Sequence, residues 1–121
     1  HSYPVSGKVI KGRGMGKKLG FPTANIKTSD DKLFPPYGVY AGTCVIKGKK
    51  YRAAVNIGNR PTFGTGFARV EAHVIGYNKN LLGKELIVWL TKKIRDEKMF
   101  SNEKELIAQI KKDVAGVFAK Y

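Results

Sequence analysis

Apolar and polar residues alternate along much of the chain and then shift to a helical period in its C-terminal third. Residues 5–10 predict a short strand leading into a glycine-rich stretch. Residues 38–46 and 51–57 form two runs rich in β-branched and aromatic side chains, with the polar Lys47-Gly48-Lys49-Lys50 between them, so a hairpin is expected. A second hairpin is expected from residues 69–77 and 85–93, where Leu86, Val88 and Leu90 alternate with Ile87, Trp89 and Thr91. Pro35-Pro36 and the stretch from Gly58 to Gly66, which contains Pro61, read as loops. Beyond them, Leu106, Ile107, Ile110, Val114, Val117 and Phe118 mark one face of a helix. Asn102 and Glu105 have the residue types and spacing of a capping box, and Ser101 competes for the cap. Antiparallel strands followed by one helix predict a small barrel with the helix packed against it.

Composition narrows the class. The chain has 121 residues, enough for one domain with its own core, and 42% of them are hydrophobic, which argues for folding rather than disorder. Lysine and arginine number 23 against 9 acids, and the resulting +14 favours a polyanionic partner: nucleic acid, a membrane surface or a phosphorylated small molecule. Cys44 is the only cysteine, lies in an apolar run and reads as a buried small hydrophobe. No Cys/His cluster has zinc spacing, and no apolar run is long enough to cross a membrane as a helix. No signal peptide is visible, so the expected location is cytoplasmic. The chain opens on His1, as a fragment or processed protein would.

Candidate chemistry concentrates in the stretch from Gly12 to Asn25, a cationic glycine loop joined to Pro22-Thr23-Ala24-Asn25. Glycines let backbone N–H groups close on phosphate oxygens. The loop nevertheless misses both standard nucleotide fingerprints. A Walker A loop needs glycine where Lys11 stands and Ser or Thr where Lys18 stands, and a dinucleotide loop starting at Gly14 needs glycine at Leu19. Glycines alone favour a surface loop; Lys17-Lys18 and the tetrad shift the balance toward phosphate. On an extended segment Thr23 and Asn25 point to one face, and two neutral oxygens beside a phosphate cradle suit Mg²⁺.

The acids are distributed unevenly. Residues 1–29 hold six Lys/Arg and no acid, residues 32–70 hold seven and no acid, and Glu71 is the only carboxylate between Asp31 and Glu85. Glu71 either pairs with a lysine across the sheet, the commoner fate, or serves as a general base on a hydroxyl. His73, on the same face, reads as packed or solvated rather than catalytic. Asn56-Ile57-Gly58-Asn59-Arg60-Pro61-Thr62 reads mostly as turn chemistry. Arg95 could clamp a phosphate or pair with an acid, and Phe100 could stack on a planar ligand or staple the helix, with a core role favoured.

Taken together, these segments resemble the riboflavin kinase family, which occurs as small kinases or as the C-terminal module of bacterial bifunctional FAD synthetases. The carriers are Gly16-Lys17-Lys18-Leu19-Gly20-Phe21-Pro22-Thr23-Ala24-Asn25-Ile26, Gly38-Val39-Tyr40, the run from Asn56 to Phe63, Val70-Glu71-Ala72-His73 and the run from Arg95 to Phe100. The resemblance implies a mainly β fold, a six-stranded antiparallel Greek-key barrel with a C-terminal helix, as one domain over residues 1–121. It also implies ATP-dependent phosphorylation of the riboflavin 5′-hydroxyl to FMN. Thr23 and Asn25 would then ligate Mg²⁺, and Glu71 would be the base. Gly12, Gly16, Lys17, Lys18, Leu19 and Pro22 would belong to the nucleotide side, and Arg95 would lie near the flavin.

Four residues depart from the family's pattern. Lys17 stands where arginine is usual, which keeps the charge and loses bidentate geometry. Gly76-Tyr77 replaces Asp-Phe, and Leu82 replaces tyrosine, which touches loop or flavin packing. Residues 3–9 resemble the joint after an adenylyltransferase half, so a covalently linked adenylyltransferase domain is a candidate partner, and FAD synthesis by this chain alone is not expected. The competing expectation is a basic nucleic-acid-binding barrel. It accounts for the charge and leaves the tetrad and Glu71 without a role.

Overall fold

The computed structural model describes residues 3–10, 23–27, 37–59, 68–77, 79–98 and 100–120. Its elements are β1 (Tyr3–Ile10), β2 (Thr23–Lys27), β3 (Gly38–Ile46), β4 (Lys49–Asn59), β5 (Ala68–Val74), β6 (Glu85–Asp96) and the helix α1 (Glu103–Lys120). The strands close into an antiparallel barrel in the order β1-β2-β5-β4-β3-β6. The mainly β barrel with a terminal helix is therefore as expected.

Period-two patterning explains the wall. Ala24, Ile26, Val55, Ile57, Val70 and Ala72 face inward and are nearly inaccessible, so side chains fill the barrel. Alanines among the valines and isoleucines fit the narrow interior of a six-stranded closure. The β3–β4 hairpin forms as expected, with Ile46 opposite Lys49. Its two-residue turn has positive φ at Lys47 (51°) and Gly48 (81°), the geometry that matches strand twist.

The second expected hairpin does not form. β5 pairs with β2 and β4, whereas β6 pairs with β1 and β3. The connecting segment crosses the barrel end instead, and its apolar side chains drive that path: Tyr77 and Leu81 are buried in the core, and Tyr77 meets Tyr51 edge-on at 5.3 Å. Backbone bonds from Gly83 N to Val9 O and from Val9 N to Lys84 O tie it to β1. Tyr77, one of the departures from the family pattern, is thus a core plug, while Leu82 is exposed.

α1 lies outside the barrel. Ala41 on β3 and Ala54 on β4 present small outward side chains, and Val117, fully buried, packs onto them with Val114, Ile75 and Ile94. Asn102 wins the N-cap: its Oδ1 accepts from Glu105 N at 2.9 Å, while the Glu105 carboxylate accepts from the Ser101 hydroxyl at 2.6 Å. Phe118, expected on the apolar face, is exposed instead and lies beneath the Arg52 guanidinium.

Candidate active site

β2 is a five-residue strand whose alternation sends Ala24 and Ile26 inward and Thr23 and Asn25 outward. β5 does the same with Val70 and Ala72 inward and Glu71 and His73 outward. The register sets these pairs opposite one another, Thr23 against His73 and Asn25 against Glu71. β4 adds Asn56 on the far side of Glu71, and Val39 and Arg95 continue the row across β3 and β6. One line of side chains, Asn25–Glu71–Asn56–Val39–Arg95, thus crosses five strands over roughly 19 Å of barrel wall. A neighbouring line begins Thr23–His73–Ala54–Ala41, and its alanines seat the helix.

Outward-facing polar groups are normally wet, but these are not. Relative exposure is 4% at Asn25, 1% at Glu71 and 3% at His73. Burying such groups costs free energy unless hydrogen bonds or charges offset it, so they mark a built site rather than a solvated face. The residues directly opposite Glu71 on the two neighbouring strands are Asn25 and Asn56. The Oδ1 atoms of Asn25 and Asn56 are buried and accept no hydrogen bond among the described residues.

Thr23 Oγ1 lies 3.2 Å from His73 Nδ1. With Nδ1 accepting, the threonine oxygen keeps both lone pairs for a ligand. The site therefore offers two neutral oxygens from β2, one of them orphaned, which is a donor set that fits a hard cation such as Mg²⁺.

At the other end of the row, Arg95 is committed to an acid. Its Nε and Nη2 donate to the two Asp113 oxygens at 3.0 and 2.8 Å, Gln109 also donates to Asp113, and Nη1 donates to Asp96 O. Of the two expectations for Arg95, the acid pair is the one formed. Beside it opens a cleft of about 400 Å³ lined by Lys98, Phe100, Glu105, Ala108, Gln109 and Lys112. Phe100 is half-buried and lines this cleft, with Lys98 Nζ 6.0 Å from its ring centre, and among the described residues it joins no core cluster.

Gly12, Gly16, Lys17, Lys18, Leu19 and Pro22, expected on the nucleotide side, lie outside the described residues. Two site members were missed in the sequence. His73 was discounted although it shares a face with Glu71. Asn56 stands in the run 51–57 that predicts a strand and also opens the Asn56–Thr62 stretch read mostly as turn chemistry; β4 runs on to Asn59 and sets Asn56 opposite Glu71.

Comparison with known proteins agrees with this fold. The family model described as "Flavokinase: Riboflavin kinase" matches residues 1–119. The bifunctional riboflavin kinase/FMN adenylyltransferase of Bacillus subtilis is 36% identical over 114 residues, covering 92% of this chain and 36% of that protein. The chain thus spans about a third of the length of such curated relatives. Among solved structures, riboflavin kinase from Trypanosoma brucei superposes with a TM-score of 0.66 at 26% identity, covering 98% of this chain and 78% of that one. A Streptococcus pneumoniae protein described as macrolide-efflux superposes with a TM-score of 0.84 at 32% identity, covering 99% of this chain and 39% of that one. With the closed barrel, the outer-face row and the family match over nearly every residue, the chain belongs to the riboflavin kinase family.

Proposed function

We propose that this chain transfers the γ-phosphoryl group of ATP to the 5′-hydroxyl of riboflavin, giving FMN and ADP. The observation that carries this reading is the buried Glu71 held between Asn25 and Asn56 on the outer barrel wall. A carboxylate in that position can accept the hydroxyl proton as the oxygen attacks phosphorus, and ADP leaves with the electrons of the broken bond. Thr23 and Asn25 are the residues that would hold Mg²⁺, with His73 orienting the Thr23 hydroxyl. Bound there, the ion supplies charge neutralisation to the β- and γ-phosphates. The remaining contribution of the protein is alignment, which a rigid sheet row provides better than a loop does.

The cleft at Phe100 supports a place for the planar ring, at the far end of the row from the nucleotide. The macrolide-efflux description belongs to one structural relative; in this chain the described residues facing the barrel interior pack into one hydrophobic core. Among the described residues, no helix is long and apolar enough to cross a membrane. The nucleic-acid alternative explains the surface charge but not a buried polar row. By analogy with the bifunctional relatives, a linked adenylyltransferase domain is the partner we propose, and a cytoplasmic location suits the supply of ATP.

The test is direct: purified protein with riboflavin, ATP and Mg²⁺, and FMN resolved by chromatography. Absence of FMN across nucleotides and metals overturns the reading. Glu71→Gln, folded by circular dichroism, is expected to lose on the order of 10²–10⁴ in kcat. Turnover near that of the wild type removes Glu71 from the role of base.

A further inference from the structure

Asn56 has no task in the transfer described above. Its backbone lies one strand spacing from Glu71, on the side away from Asn25, and the next residue in the row is the apolar Val39. Its Oδ1 is buried and accepts no hydrogen bond among the described residues. Folding does not favour an acceptor sealed from water without a donor, and sites that read a ligand hydroxyl keep such atoms until the ligand supplies the donor.

A metal is a poor occupant for this oxygen. The Asn25 and Asn56 backbones stand roughly 10 Å apart with Glu71 between them, whereas Mg²⁺ draws its ligands to about 2.1 Å. Geometry favours a neutral donor that lies along the row. A substrate with its terminal hydroxyl at Glu71 and its ring toward the Phe100 cleft passes over Asn56 with the intervening polyol. Val39, buried and apolar, cannot bond that chain, so among the described row residues on this side of Glu71 the carboxamide is the acceptor in its path.

We infer that Asn56 Oδ1 accepts a hydrogen bond from a secondary hydroxyl of the ribityl chain and makes Asn56 a specificity-determining residue. The inference rests on the proposed flavin substrate. It assigns Asn56 to recognition of the polyol, not of the nucleotide.

A cycle between residue and substrate group tests it. Riboflavin and its 2′-, 3′- and 4′-deoxy analogues are compared on wild type and Asn56→Leu, by kcat/KM and by Kd from flavin fluorescence. On wild type, loss of the bonded hydroxyl is expected to cost roughly 10- to 100-fold, and on Asn56→Leu the same loss is expected to cost less than about threefold. KM for MgATP stays within about twofold of wild type in the variant, since Asn56 stands across Glu71 from Thr23 and Asn25. Asn56→Asp, which keeps an acceptor oxygen, retains the discrimination. Should Asn56→Leu fail to fold, Asn56→Ala carries the same cycle. Equal discrimination by wild type and variant overturns the inference, as does a wild type indifferent to all three analogues. Wild type that binds flavin with the expected coupling but makes no FMN overturns the proposed activity and leaves the assignment of Asn56 standing.

Discussion

Single residues take their chemistry from what the wall surrounds them with. Cys44 is fully buried between β4 and β6, and burial pushes its thiol up to about 11, because a thiolate there has no water to solvate it. The folded protein is expected to resist a thiol reagent at mildly alkaline pH and to react stoichiometrically once denatured. Rapid native labelling contradicts that burial. The same principle gives the opposite result on the outer face of the wall. Glu71 and Asn25 are as inaccessible as Cys44, yet polar, and only a site with a use for them retains such groups. Sequence reading singled out Thr23 and Asn25 from their types and spacing, whereas Glu71 read first as a cross-strand partner and became a candidate base through the family resemblance. It placed Asn56 at the end of an expected strand and the start of a turn-like stretch without a site role, because nothing local shows which residue stands opposite it.

At the scale of elements, α1 joins the wall by two different interactions. One is apolar, Val117 on Ala41 and Ala54; the other is the two-pronged bond from Arg95 to Asp113, whose side chain is 6% exposed. Removing one partner of a buried pair costs about 3–5 kcal/mol, and since the Arg95 side chain is 21% exposed we expect about 2–3 kcal/mol for Asp113→Ala. Arg95→Leu combined with Asp113→Leu is expected to recover much of that loss, as read from urea midpoints. Simple additivity of the single losses contradicts coupling. The helix itself was legible from the period of Leu106, Ile110 and Val117 and from the Asn102 cap. Asp113 falls within that buried stripe, three residues after Ile110, so the sequence carried the signal but could not name Arg95 as its partner. That pairing depends on where β6 passes beneath the helix.

Across the whole molecule, the shortest seam among the described residues of the barrel lies between β1 and β2. There the pairs are Lys8–Lys27, Val9–Ile26 and Ile10–Asn25, and the first sets two lysines opposite each other in a chain of net charge +14. Like charges directly opposite disfavour pairing, so Lys27→Glu is expected to stabilise by about 0.2–1 kcal/mol. Slower amide exchange at Val9 and Ile26 would accompany it, and no change in exchange refutes the seam as a weak point. Alternation of side chains by itself determined which residues of each strand face out, because the period of two is a local property. It therefore grouped Thr23 with Asn25, and Glu71 with His73. Only the tertiary structure decided that these groups meet, that Asn56 completes the row and that β5 and β6 do not pair. Those neighbours lie far apart in the chain, and burial of Tyr77 and Leu81 across the barrel end outweighed the short connection between β5 and β6.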